Sequence, residues 1–274
     1  MHALFRVYRH LNILSIDVAA GAVCCAAWFA LLFGVQVKPY AFISLGLTVW
    51  IIYTADHLLD VARVKIPAST ERHRFHQRHF TTLIIVLAVA VLTDIIFVVF
   101  IRKIIFQWGV VLATAMIFYF LIQRYLIYVK ELVVALLFSC GVLLPSFSLI
   151  ETFPGGKILF VMSSFVLTAL INLILFSWFD QTSDTKDNRA SFATQVGERK
   201  TKSAIVLLFV LNAVLMILTV LLIPESYMHV ALMFSMNIIL IFLFTRKEYF
   251  EVDDRYRIVG DGIFFIPLLY IVLS

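Results

Sequence analysis

Apolar runs of about twenty residues recur along this chain, each long enough to cross a bilayer as a helix. They fall at roughly 12–35, 39–56, 82–101, 104–123, 132–150, 157–179, 204–223, 228–245 and 259–273. Inside hydrocarbon a backbone must satisfy its own N–H and C=O groups, so runs of this length specify helices rather than an open sheet. Composition agrees: the 274 residues are 62% hydrophobic and only 14% charged, with a mean hydropathy of +1.01. A soluble domain is nearer to roughly 45–50% apolar. The expectation is an all-α integral membrane protein, a single transmembrane domain over 1–274 with about nine helices. The last run is short and is expected to tilt, start deeper or thin the bilayer. The basic segment Met1 to Arg9 precedes an apolar stretch too long for a signal peptide, which is read as the first span.

The connections set the orientation. With the N-terminus inside, only Lys38, Arg102, Lys103 and Lys157 of the 22 Lys and Arg fall outside. The positive-inside rule then puts the N-terminus in the cytoplasm, and the expected location is a multi-pass place in a bacterial inner membrane. The net charge of +5 follows from this topology. Its natural neighbour is the lipid bilayer surface, and it requires no nucleic acid. Cys24, Cys25 and Cys140 lie within apolar runs, with neither a disulfide framework nor a zinc spacing.

Two inside loops, about 57–81 and 180–203, are long, and each opens on a pair of acids. Asp56 and Asp60 open the first; Asp180 and Asp184 open the second. Acids four apart share a helix face and repel by about 0.2–0.5 kcal/mol. Four spans separate the pairs, so both face the same side. Hard cations such as Mg²⁺ take carboxylate oxygens and complete their shells with water and substrate phosphates. Two facing pairs would therefore suit a magnesium-bound diphosphate, with the metal helping it leave. The competing reading is that acids following a span are solvated interfacial charges. Arg63 continues the first acidic face, Asp187 the second, and Lys186 and Arg189 follow closely. Tyr125, Tyr128 and Lys130 occupy a third inside connection that could cover the same cavity mouth.

Other polar residues read as follows. His73, His76 and His79, set among Arg72, Arg74 and Arg78, fit a basic interfacial helix contacting phosphate or anionic lipid better than a transition-metal site. Asp17 is expected near the site and Asp94 in a structural role. Asn172 and Asn237 are read as interhelical hydrogen bonds; Asp261 could reach the cavity or cap its helix, and the cap is favoured. Pro145 and Pro267 are expected to bend their helices. Glu248, Glu251, Asp253 and Asp254 read as a solvated surface.

The acidic motifs, in their positions after the second and sixth runs, resemble those of the UbiA superfamily of intramembrane prenyltransferases. Asp56 and Asp60 match the last two aspartates of that family's first motif, Asn-Asp-x-x-Asp-x-x-x-Asp. Its leading Asn-Asp falls on Ile52 and Tyr53. Asp180 and Asp184 match the Asp-x-x-x-Asp ending of the second motif, whose leading positions fall on Phe176 and Ser177. Ser191-Phe-Ala-Thr-Gln-Val-Gly197 matches the segment that follows, and Tyr125 to Lys130 loosely echoes a Tyr-x-x-x-Lys-Arg element. The resemblance implies nine helices around a central cavity. It implies transfer of an isoprenoid group from a polyprenyl diphosphate to a lipophilic or aromatic acceptor. Asp56, Asp60, Asp180 and Asp184 would then be the catalytic and Mg²⁺-binding residues. Arg63, Lys130, Lys186, Arg189 and Tyr125 would bind the diphosphate. The alternatives are a non-catalytic UbiA-like membrane protein that binds a prenyl lipid, and a transporter, which would show polar or broken helices at the midplane.

Overall fold

The computed structural model describes residues 2–62, 67–151 and 158–273, and among these it is helical with no strand. The membrane-length helices are α3 (Pro39–Ala62), α5 (Phe80–Val98), α6 (Lys103–Ile122), α7 (Lys130–Phe147), α8 (Ile158–Phe179), α11 (Glu198–Leu222) and α12 (Tyr227–Thr245). Short helices join them: α4 (Glu71–Arg78), α9 (Gln181–Lys186) and α10 (Phe192–Val196). With a composite segment at Lys247–Leu273, eight helices among the described residues are long and apolar enough to cross a membrane. A ninth crossing comes from α1 (His2–Ile13) and α2 (Ile16–Leu32), which meet at 81°. The chain is an integral, multi-pass membrane protein.

Two expected spans change shape. The first run opens at 12, but the spanning helix begins at Ile16, because Ser15 adopts a left-handed φ of 56°. That turn sends the more polar α1 across the end of α2. The last span is longer than its apolar run: α13 (Lys247–Glu251), α14 (Arg255–Gly262) and α15 (Pro267–Leu273) follow one another, with turns at Asp253 and Asp254, both at positive φ. The loop reading of 246–258 is thereby corrected in part. Glu248, Glu251 and Asp253 are exposed as expected, but Tyr256 is buried and Arg257 points into the protein. Hydropathy missed this because inward-facing charge resembles loop charge.

The interior forms around α8 and α2. Helix α8 packs on α7, α11, α12 and α14, and α2 on α3, α7 and α15. A helix apolar on every face buries itself, and α8 does so from Phe165 to Phe179. Helices α5 and α6 instead present Ile85, Leu92, Phe118 and Leu121 outward, a surface stable only against lipid. A polar knot ties α8, α11 and α12: Asn212 Nδ2 donates to Thr168 Oγ1 (3.0 Å) and Asn237 Oδ1 (3.1 Å), while Ser164 Oγ donates to Asn212 Oδ1 (2.6 Å). Such bonds in a membrane contribute about 0.6 kcal/mol each. Asn237 therefore has the interhelical role expected of it, and Asp94 is tied to Thr48 of α3 at 2.8 Å. Pro145 lies inside α7, and Pro267 opens α15.

Candidate active site

Four helices each present one stripe to a shared cavity of about 190 Å³. From α3 come Tyr53, Asp56, His57 and Asp60; from α7, Glu131, Val134 and Phe138. Helix α8 contributes Ala169, Asn172, Leu173 and Phe176, and the last segment Arg257, Asp261 and Phe264. These spacings of three, four and seven are what a helix needs to keep side chains on one face. Arg72 and His73 of α4, together with Lys130, Asp184 and Arg189, complete the charged end. Val134, Phe138, Ala169, Leu173 and Phe264 make the rest of the wall apolar.

Arg189 joins the two acidic segments. Its guanidinium pairs with Asp60 Oδ2, lies 3.7 Å from Asp184 Oδ1 and approaches His73 Nε2 at 2.9 Å. Asp187 stitches the same segments from outside, accepting the Ser69 backbone N–H at 3.1 Å. Burial pushes the Asp184 carboxyl up to about 6; neighbouring Asp180 adds to this and Arg189 opposes it. Burial, followed by the Arg189 and Arg257 charges, holds the His73 imidazole down to about 2. His73 is therefore neutral, and its ring can accept from Arg189. Burial also lowers His76, whose Nδ1 lies 2.8 Å from Arg72 O.

The predicted residues separate. Asp56, Asp60, Asp184, Lys130 and Arg189 line the cavity. Asp180 does not: Tyr256 Oη and Arg257 hold its two oxygens, so it stands behind the wall and orients Arg257. Lys186 is exposed and outside the cavity. Tyr125 is 68% exposed and pairs with Arg124, whose guanidinium lies 4.6 Å from its ring centre. It does not cover the cavity mouth. Arg63 lies outside the described residues. Asp17 is buried but does not line the cavity; it accepts from Asn12 at 2.6 Å.

Sequence reasoning missed Arg257, and for Asp261 it favoured a cap over a place in the cavity. Asp261 lies inside α14 and lines the cavity, so the expected cap is corrected. Its signal was the spacing Arg257, Asp261, Phe264 at the start of an apolar run. Asn172 also faces the cavity, without the interhelical bond expected of its carbonyl. Buried polar atoms without a hydrogen-bond partner among the described residues include His57 Nδ1, Arg72 Nε, Glu131 Oε2 and Asn172 Oδ1, all from cavity-lining residues. Each unmet group costs about 1–3 kcal/mol, a cost that a hydrogen-bonding group within the cavity would offset.

Solved structures share this architecture. A UbiA homologue from Archaeoglobus fulgidus bound to GPP and Mg²⁺ superposes with a TM-score of 0.67, covering 96% of this chain and 99% of that one, at 11% identity. This chain has the UbiA-like fold. The same homologue bound to DMAPP and Mg²⁺ gives a TM-score of 0.64 at 13% identity, over 97% of this chain and all of that one. A digeranylgeranylglyceryl phosphate synthase gives 0.56 at 13% identity, over 100% of this chain and 98% of that one. No family model matches the sequence, and no curated protein matches it. Within the UbiA-like fold, Tyr53 and Phe176 line the cavity where the resembling motifs place leading polar residues. Ser177, beside Phe176, accepts the Ala193 backbone N–H at 2.9 Å.

Magnesium can be tested against this donor set. Asp56, Asp60, Asp184 and Glu131 offer hard oxygens to one cavity. Among the described residues no three His, Cys, Asp or Glu are gathered closely enough to hold an ion by themselves. Magnesium usually takes one or two carboxylates and fills its octahedron with waters and phosphate oxygens. These residues fit it in type.

Proposed function

We propose that this protein transfers an isoprenoid group from a prenyl diphosphate to an acceptor within the cavity, at its cytoplasmic end. The observation that carries this reading is the convergence of Asp56, Asp60 and Asp184, from segments far apart in sequence, on one chamber with an apolar wall. Asp56, Asp60 and Asp184 would hold Mg²⁺, which when bound supplies charge to the departing diphosphate. Asp180 takes part indirectly, by aiming Arg257. The side chains of Arg189, Arg257, Lys130 and Arg72 neutralise the diphosphate and fix its position. Phe138, Phe176 and Phe264 receive the isoprenoid chain, exclude water and offer ring faces to an allylic cation. The Lys and Arg distribution supports a cytoplasmic position for this end, and the membrane proposed is a bacterial inner membrane. A polyprenyl donor and an aromatic acceptor follow from the resemblance.

A second reading, a non-catalytic protein that binds a prenyl lipid, draws on the same ion pairs: Arg189 occupies Asp60 and Arg257 occupies Asp180. One assay separates the two. Diphosphate release from geranyl diphosphate with Mg²⁺ is compared among wild type, Asp56→Asn and Asp184→Asn. Catalysis requires release by the wild type that both variants lose; equal release from all three rejects it.

A further inference from the structure

No described residue of α1 lines the cavity, yet α1 ends on a residue that grips the cavity wall from behind. Asn12 is 4% exposed and lies in the last turn of α1, just before the left-handed turn at Ser15. Its amide nitrogen donates to Asp17 Oδ2 at 2.6 Å and to Asp261 Oδ2 at 2.9 Å. Its Oδ1 and its backbone carbonyl both accept from Arg72 Nη2, at 2.9 and 2.8 Å. One residue thus ties α1 to α2, α4 and α14.

The partners fix which way the amide faces. Turned over, its NH₂ would meet a guanidinium, which accepts nothing, and its oxygen would meet two carboxylates. Arg72 is itself buried and lines the cavity. Asn12 engages Nη2, so contact with an anion in the cavity falls to Nη1, which lies 3.3 Å from His57 Nε2. The other two cavity arginines are held differently: Arg189 pairs directly with Asp60, and Arg257 with Asp180. Arg72 is held by a neutral amide instead, with Asp261 3.8 Å away. A long arginine loses rotamer freedom when a ligand fixes it; here the side chain is already fixed, and no carboxylate is bonded to it. Resting on the prenyl-transfer reading above, we propose that Asn12 is a positioning residue that aims Arg72 at a phosphate oxygen of the donor while leaving its charge uncompensated by a direct ion pair. Helix α1 thereby becomes part of the diphosphate site without touching the ligand.

The test titrates inorganic diphosphate with Mg²⁺ calorimetrically into the full chain in detergent. Asn12→Ala and Arg72→Gln should each weaken binding about tenfold or more, and the double variant should bind within about twofold of Arg72→Gln alone. Asn12→Asp, nearly the same shape, closes Arg72 into an ion pair and should weaken binding at least as much as Asn12→Ala. Mn²⁺ binding without diphosphate should stay within about twofold of wild type in Asn12→Ala, because the carboxylates that would hold metal are not Asn12's partners. Diphosphate binding unchanged in Asn12→Ala, Asn12→Asp or Arg72→Gln overturns the proposal, as does a wild type that binds no diphosphate. Losses that multiply in the double variant, or a parallel loss of Mn²⁺ binding, assign Asn12 a purely structural role and overturn it as well. A wild type that binds diphosphate with this dependence on Asn12, but releases none from geranyl diphosphate, would strike the prenyl-transfer reading and leave the role of Asn12 standing.

Discussion

The two acidic pairs have the same spacing and different fates. Asp56 and Asp60 lie on the unbroken helix α3, and both line the cavity. Asp180 and Asp184 straddle the turn between α8 and α9; only Asp184 reaches the cavity, while Asp180 is held by Tyr256 and Arg257. Identical spacing yields identical orientation only while the helix continues. Across a break, the partners supplied by other segments decide where each carboxylate points.

The largest test of this contrast is catalytic. Asp60→Asn should lower Mg²⁺-dependent diphosphate release about 10²–10³-fold, the range for removing one stabiliser of developing charge. Asp180→Asn, acting only through Arg257, should lower it less than about tenfold. Equal losses would erase the distinction between the pairs. Next in size is Arg257→Gln, which leaves Asp180 buried beside Tyr256 alone. Removing one partner of a buried pair costs about 3–5 kcal/mol, to be read as a lower thermal midpoint in detergent. Arg189→Gln should cost less stability, because its guanidinium is partly exposed. It should also free Asp60 and Asp184, so that Mn²⁺ binding without donor, followed by electron paramagnetic resonance, tightens about tenfold, or about 1.4 kcal/mol.

The smallest effect concerns His73, which faces Arg189 from the second segment and His57 and Arg72 from the first. The unfolded chain takes up a proton here below about pH 6.5, whereas the folded chain keeps the ring neutral to about 2. The favourable contribution is therefore present above about 6.5 and lost as pH falls. The unfolding free energy of wild type should drop between pH 7 and 5.5 by more than that of His73→Gln, by up to about 1 kcal/mol. Asp184 titrates in both proteins and cancels in the difference.

Much of the fold was legible because hydropathy is local. A run of about twenty apolar residues has few ways to satisfy its backbone in lipid, so the number of spans and the helical class could be read directly. Asp56, Asp60, Asp184, Lys130 and Arg189 were legible as cavity candidates because they follow long apolar runs at helical intervals. Tyr125 and Lys186 shared that signal and proved exposed, since nearness in sequence to a span end does not set direction. Arg257 was hidden for the opposite reason: a charge facing a cavity lowers hydropathy as much as a charge in water.

By itself, the sequence determined an all-helical membrane chain and which side chains share each helix face. Tertiary structure alone decided which faces meet. It brought Arg189 between Asp60 and Asp184, turned Asp180 toward Arg257, and set Asp261 beside Asn12. The helical repeat fixes angles around one axis, whereas these pairings depend on how separate axes pack, and no local pattern encodes that.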